Sequence, residues 1–230
     1  MQLPDASVAE NMGHAGYDWV ALDMEQGAIL HHQLPNLFRA WELGVTLPLV
    51  RVAEGTAREG KQAPDAGAGG VIVPMIETAA QLMWVRDDCR WLPSGIRGVG
   101  FSRANCFGVT FDTYALEAQE LLLIAMIENI KNASRIRPNS KSEWVRRDFN
   151  RTLRFSCFKG LHRTIWCSWV SHNYRNHQGT LRRIPSTVRA PCCEPDISTL
   201  KQRLTEGYLF IAYSIDTVFL HLACKSPSTI

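Results

Sequence analysis

The sequence predicts an α/β fold in which parallel strands form a sheet or a single barrel. Four short apolar runs each end in a charged or polar residue, and stretches with helical spacing of apolar residues lie between the first three. Such alternation of strands and helices with short loops is what a parallel sheet or barrel requires. The chain has 230 residues, a length that one α/β barrel often fills alone.

The run from Gly16 to Gly27 is the most informative of the four. Its apolar residues are followed by Asp23 and Glu25, which predicts a buried strand that delivers acids at its carboxyl end. A core strand followed by a polar turn would explain this run equally well. The same pattern recurs at residues 48–51, 70–75 and 123–128, and this repetition favours a functional site at the carboxyl ends of the strands.

The segments that flank the strands show helical signals. Asp5 and Ser7 suit the N-cap of a first short helix. After residue 195, the apolar spacing over 197–204 predicts a further helix, and residues 208–215 predict a buried strand that ends at Asp216. One outer helix has a clear apolar face at positions i, i+3, i+4 and i+7, formed by Leu34, Leu37, Phe38 and Trp41.

Residues 134–193 differ from the rest of the chain in charge and pattern. They contain 11 Arg and 2 Lys against two acids, a net charge of +11, whereas the remainder carries 12 basic and 20 acidic residues. Translation of this segment out of frame explains both the difference in charge and the loss of the alternating strand and helix pattern. The alternative is a basic surface that binds nucleic acid, in which arginines contact phosphates and aromatic side chains stack on bases. The aromatic residues of the segment include Trp144, Phe149, Phe155, Trp166, Trp169 and Tyr174.

Five motifs in fixed order carry a family resemblance: Asp23-Met24-Glu25-Gln26-Gly27, Pro48-Leu49-Val50-Arg51-Val52, residues 65–75, Gly95-Ile96-Arg97-Gly98 and Met126-Ile127-Glu128. Together they resemble the HpcH/HpaI aldolases, class II enzymes that release or add pyruvate. The resemblance runs to about Asn132 and returns over about 194–222. It implies one domain over residues 1–230 with the fold of a TIM-type (β/α)8 barrel. This barrel is incomplete at the N-terminus, where Met1–Leu3 is the tail of a first strand, and it is disrupted over residues 134–193.

The resemblance also implies a site and a cofactor. The cofactor is a divalent metal, Mg²⁺ or Mn²⁺, with Glu128 as its first ligand and Glu25 holding a metal-bound water. The catalytic residues are Arg51, Gln26 and Asp23, of which Arg51 stabilises the negative charge of a pyruvate enolate. The residues expected to bind a small 2-oxo acid substrate are Arg51, Pro74, Met75 and, in a glycine-rich loop expected across the barrel mouth, Ser102.

Two positions depart from the family pattern. Gln26 stands where the family has a histidine that helps to move the proton of the 4-hydroxyl group, and an amide does not titrate near neutrality. The second metal ligand, an aspartate in a Gly-Pro-Xaa-Asp-Leu motif, is absent, and its place falls near Arg154. The sequence therefore predicts an impaired metal-dependent aldolase that cleaves 4-hydroxy-2-oxo or 2-oxo-3-deoxy dicarboxylic acids. A catalytically silent relative and a nucleic-acid-binding protein are the alternatives.

Other classes of protein and site are disfavoured. No apolar run approaches the twenty residues of a membrane span, and the first residues lack the features of a signal peptide, so we expect a cytoplasmic protein with reduced cysteines. No pair of cysteines has zinc-site spacing. Residues 98–105 lack the lysine and spacing of a P-loop. The resemblance implies a homo-oligomer, but the family assembles through terminal helices and the sequence stops soon after Cys224, which leaves assembly open.

Overall fold

The structure is a computed structural model that describes residues 1–126, 174–175, 181–182, 188–192, 195–206 and 210–224. Four parallel strands form its main sheet in the order β1-β2-β3-β4. They are β1 (Trp19–Asp23), β2 (Leu47–Arg51), β3 (Gly70–Val73) and β4 (Leu122–Ala125). The parallel α/β architecture predicted from the sequence is thereby confirmed.

Helices precede β1 and connect the four strands. They are α1 (Ala6–His14), α2 (Leu34–Glu42), α3 (Ala57–Asp65), α4 (Ala79–Cys89) and α5 (Phe111–Glu117). The Asp5 carboxylate caps α1 by accepting hydrogen bonds from the backbone N–H groups of Ser7 and Val8, as predicted. α5 was not predicted from the sequence. None of the helices in the described ranges is long and apolar enough to cross a membrane.

Both faces of the sheet are buried, as in parallel sheets generally. The outer face packs on the helices, and the four predicted apolar positions of α2 are all buried there. The inner face carries a second core that includes residue 210 from near the C-terminus. Its buried members are Leu49, Ile72, Leu122, Ile124, Met126 and Phe210.

The C-terminal part contributes β7 (Val188–Cys192), α6 (Ile197–Thr205), β8 (Phe210–Tyr213) and α7 (Asp216–Ala223). β7 pairs in parallel with β8, and the Phe210 ring stacks on Trp19 of β1 with ring centroids 4.3 Å apart. The predicted helix and strand are therefore present, although only Phe210 of β8 is buried.

Within residues 134–193 the structure describes β7 and the short antiparallel pair β5 (Tyr174–Arg175) and β6 (Leu181–Arg182). β7 was not predicted from the sequence. The expectation of disrupted order for the remaining residues of that segment lies outside the described residues.

Residues 1–3 lie along the edge of β1. The Met1 amino group donates a hydrogen bond to the Ala21 carbonyl oxygen (2.6 Å), and the Asp23 N–H donates to the Met1 carbonyl oxygen (2.9 Å). The pattern is that of a neighbouring parallel strand. It agrees with the expectation that Met1–Leu3 is the tail of a strand.

We expect the outer core to dominate stability. Leu37 is 1% exposed and packs between α2 and the sheet, whereas Leu43, at the end of the same helix, is 63% exposed. Leu37→Ala should lower the free energy of unfolding by about 2–5 kcal/mol because it leaves a cavity. Leu43→Ala removes the same atoms and should change it by about 0.5 kcal/mol or less. Urea titration followed by circular dichroism measures both, and equal losses would contradict the assignment of this core.

Candidate functional site

Strand alternation brings Asp23 and Arg51 to the inner face of the sheet at its carboxyl edge. Side chains two residues apart on a strand share a face, and Ala21 and Leu49 both belong to the inner core. The register pairs Asp23 of β1 directly with Arg51 of β2. Two charged side chains thus meet where the parallel strands end.

The Arg51 guanidinium is held by two carboxylates. Its Nε and Nη2 donate to Oδ1 and Oδ2 of Asp23 at 2.8 and 2.6 Å, a bidentate arrangement. Its Nη1 lies 2.9 Å from Glu25 Oε2. The side chains of Asp23 and Arg51 are only 8% and 11% exposed, so solvent screens this pair weakly. The plane of the guanidinium is therefore fixed.

Asp23 accepts further hydrogen bonds. Gln2 Nε2 donates to Oδ2 at 2.9 Å, and the backbone N–H groups of Glu25 and Gln26 donate to Oδ1 at 3.2 Å each. Burial alone would raise the pKa of Asp23, but the hydrogen bonds from Arg51 and Gln2 outweigh it and lower this pKa below its usual value. An ionised carboxylate that serves five donors is suited to orient Arg51 rather than to take a proton from a substrate.

The described residues do not by themselves fit a divalent metal. Asp23 and Glu25 both contact Arg51, and no group of three or more His, Cys, Asp or Glu side chains in the described part of the chain could hold a metal ion. Mg²⁺ and Mn²⁺ require several oxygen ligands in near-octahedral geometry. Glu128, the expected first ligand, follows the buried residue Met126 by two positions in the sequence and lies outside the described residues.

The remaining predicted residues at this edge are Gln26, Pro74 and Met75. Gln26 is exposed in the turn after β1, and Pro74 is buried after β3. Met75 is 55% exposed and has a φ angle of 54°, in the left-handed region that non-glycine residues rarely adopt. Such a backbone outlier at a strand end is a common property of functional sites.

The structure does not bring Ser102 to this edge. The next residue, Arg103, donates from Nη1 to the Ala66 carbonyl oxygen (3.1 Å) and contacts Glu42 Oε1 through Nη2 (2.6 Å). Ala66 and Glu42 lie at the C-terminal ends of α3 and α2, next to the amino ends of the strands. These contacts hold the loop at the opposite end of the sheet from the expected barrel mouth. The role of Ser102 in substrate binding stays a prediction.

Two groups near the carboxyl edge were missed by the sequence analysis. Gln2 contacts Asp23 although 21 positions separate them. His31 Nε2 lies 3.1 Å from Oε2 of the buried Glu59, which links the segment after β1 to the first turn of α3. Neither contact has a local pattern in the sequence. The expectation that Met1–Leu3 is the tail of a strand was the one sequence signal that could have placed Gln2 near Asp23.

Comparison with known proteins identifies relatives of this chain. The family model described as HpcH/HpaI aldolase/citrate lyase matches residues 1–146. A hydroxypyruvate/pyruvate aldolase of Roseobacter denitrificans is 35% identical over 133 residues, which cover 56% of this chain and 51% of that protein. The match thus spans about half the length of that relative. A 4-hydroxy-2-oxovalerate aldolase of Rhodococcus jostii is 28% identical over 238 residues, which cover 100% of this chain and 88% of that protein.

A solved structure shares the fold. The crystal structure of an HpcH/HpaI aldolase/citrate lyase family protein from Burkholderia cenocepacia matches with a TM-score of 0.69 and 23% sequence identity. The match covers 97% of this chain and 89% of that one. At this level of identity the likeness concerns the fold alone.

We expect the Asp23–Arg51 pair to be important for stability. Asp23→Ala leaves a buried guanidinium without its bidentate partner, which typically costs about 3–5 kcal/mol. Glu206→Ala removes an exposed carboxylate whose contacts include Arg203 and Gln202, and such a surface ion pair is worth less than about 1 kcal/mol. Urea titration of both variants gives the two values. Similar losses for the two variants would contradict the importance of the buried pair.

Proposed function

The chain belongs to the HpcH/HpaI aldolase/citrate lyase family, and from that premise we propose that it cleaves 4-hydroxy-2-oxo or 2-oxo-3-deoxy dicarboxylic acids to pyruvate and an aldehyde. The observation that carries the proposal is the Arg51 guanidinium, fixed by two carboxylates at the carboxyl edge of a parallel sheet. This is the edge at which α/β enzymes build their active sites. The two relatives named as aldolases support the same reaction class.

We further propose that residues 1–230 form one TIM-type (β/α)8 barrel domain that is incomplete at the N-terminus and disrupted over residues 134–193. Three observations support a barrel-like arrangement of the sheet. Both faces of the four-stranded sheet are buried, Phe210 of β8 stacks on Trp19 of β1, and Met1 pairs with the free edge of β1. In a barrel, the first and last strands lie side by side, and their pairing covers strand edges that an open sheet exposes.

The proposed reaction breaks the bond between C3 and C4 of the substrate. Its electron pair forms the enolate of pyruvate, the 4-hydroxyl group loses its proton, and C4 becomes the aldehyde carbon. Protonation of C3 then completes pyruvate. Negative charge develops on the 2-oxo oxygen, and a donor fixed in place before the reaction stabilises it most effectively. We assign this role to Arg51, whose orientation Asp23 and Glu25 maintain.

Gln26 and the residues after β3 have supporting roles in this proposal. The amide of Gln26 can hydrogen-bond the 4-hydroxyl group but cannot accept its proton near neutral pH. Pro74 and Met75 contribute to the substrate surface, because the left-handed backbone at Met75 turns the chain at the carboxyl edge. The proton acceptor is therefore a group other than Gln26.

The resemblance implies that a divalent metal takes part, with Glu128 as a ligand and Glu25 holding a metal-bound water. Because Asp23 and Glu25 are both in contact with Arg51, metal binding depends on residues beyond the described ones. Such an ion, when bound, would polarise the 2-oxo acid as a Lewis acid.

Loss of the bidentate guanidinium should slow the reaction. Arg51→Lys retains a positive charge but lacks the planar pair of donors, and we expect kcat to fall on the order of 100-fold, the usual effect of losing one such donor. Arg58→Lys is the matched control, since Arg58 lies on the exposed surface of α3 and bonds only Gln62 in the described contacts. Pyruvate release is measured with a lactate dehydrogenase assay in the presence of Mg²⁺ or Mn²⁺.

Two outcomes of that assay would contradict the proposal. Absence of pyruvate release by the unmodified chain with every 4-hydroxy-2-oxo acid tested favours a catalytically silent relative. Equal kcat values for the Arg51→Lys and Arg58→Lys variants would remove Arg51 from the reaction.

Metal affinity should be low. A single carboxylate ligand, Glu128, binds Mg²⁺ or Mn²⁺ weakly, and Gln26→His adds no ligand that replaces the absent aspartate. We therefore expect weak Mn²⁺ binding by the unmodified chain, and no gain in aldol cleavage from Gln26→His alone. Calorimetric titration measures the affinity. Micromolar binding that disappears in Glu128→Ala would show that a further ligand exists.

A further inference from the structure

A chain of hydrogen bonds connects α7 with the site. The Thr217 hydroxyl donates to Gln2 Oε1 at 3.3 Å, and Gln2 Nε2 donates to Asp23 Oδ2 at 2.9 Å. Asp23 in turn binds Arg51. The path runs from the last described helix to the guanidinium at the carboxyl edge in three hydrogen-bonded steps.

The side chain of Gln2 is suited to connect Thr217 with Asp23. Its amide accepts a hydrogen bond at one end and donates one at the other, so it can join a hydroxyl donor to an ionised carboxylate. Among the described contacts, Asp23 Oδ2 accepts hydrogen bonds from two side-chain donors, Gln2 Nε2 and Arg51 Nη2. A displacement of Gln2 therefore changes the position of the oxygen that holds Arg51.

The backbone at Gln2 is fixed by a buried acid. Asp216, 3% exposed, accepts hydrogen bonds from the N–H groups of Gln2 and Leu3 at 2.8 and 2.9 Å. Both carboxylate oxygens are used, one for each N–H group. The first turn of α7 thus sets the position of the Gln2 backbone through Asp216 and of its side chain through Thr217.

We propose that Gln2 is a positioning residue for Arg51, and that Asp216 and Thr217 hold Gln2 in place. The C-terminal helix, which lies outside the stretch matched by the family model, then contributes to the precision of the site. The consequence for catalysis rests on the proposed function, but the positioning itself does not.

The Arg51 Nε–H group allows a test that does not depend on activity. Its resonance in a ¹H–¹⁵N correlation spectrum is assigned by its absence in Arg51→Lys, and its exchange rate with solvent reports on the bond to Asp23. Gln2→Met preserves the length of the side chain but removes both hydrogen bonds. We expect this exchange to accelerate about fivefold, which corresponds to the roughly 1 kcal/mol net value of one hydrogen bond.

Two further variants complete the comparison. Gln119→Met is the matched control. Gln119 donates a side-chain hydrogen bond to the Ala115 carbonyl oxygen on α5, and this bond does not involve Arg51 or its partners. Thr217→Val retains Gln2 and should accelerate the exchange less than Gln2→Met does. It also preserves the test if Gln2→Met fails to fold. An unchanged Arg51 signal in both site variants, or an equal change in Gln119→Met, would overturn the proposal.

Kinetics separate this inference from the proposed function. If the chain releases pyruvate, Gln2→Met should lower kcat about fivefold with little change in KM, because Arg51 acts on charge that develops in the transition state. A changed Arg51 signal in a chain that releases no pyruvate would support positioning and contradict the aldolase function. Pyruvate release with an unchanged Arg51 signal would support the function and overturn the positioning role.

Discussion

The buried ion pair between Asp23 and Arg51 constrains the structure around it. A charged group removed from water is tolerated only when it is paired and its remaining hydrogen-bonding positions are filled. Here the direct register of β1 on β2 brings the two charges together, and Glu25, Gln26 and Gln2 fill the other positions. The conformation of the turn after β1 and the placement of the N-terminal residues therefore both depend on this pair.

Much of the fold could be predicted because its signals are local. The apolar spacing of α2 and the apolar runs of β1 to β4 appear within ten residues or so, and the structure has these elements close to their expected bounds. The location of residues 98–105 could not be predicted in this way. It depends on Arg103, whose partners Glu42 and Ala66 lie far back in the sequence on two different helices.

The site shows the same division between local and distant information. Asp23 and Arg51 could be selected as candidates because each ends an apolar run, and the parallel sheet places these two ends side by side. The sequence does not show that Asp23 accepts hydrogen bonds from five donors, which outweigh burial and keep its pKa below the usual value. Gln2 was missed because its partners, Asp23 and Thr217, are 21 and 215 positions away.

The contact between Asp216 and residues 2 and 3 also affects the order in which parts of the structure form during synthesis. It joins groups that are 213 and 214 positions apart in the chain. At synthesis rates of about 5–20 residues per second, a ribosome needs roughly 10–40 s to advance from one partner to the other. During that interval the N-terminal segment lacks its acceptor, while α1, α2 and the first strands can already associate. The contacts that hold Gln2 beside Asp23 can therefore form only after α7 has been synthesised, later than the pairing of β1 with β2.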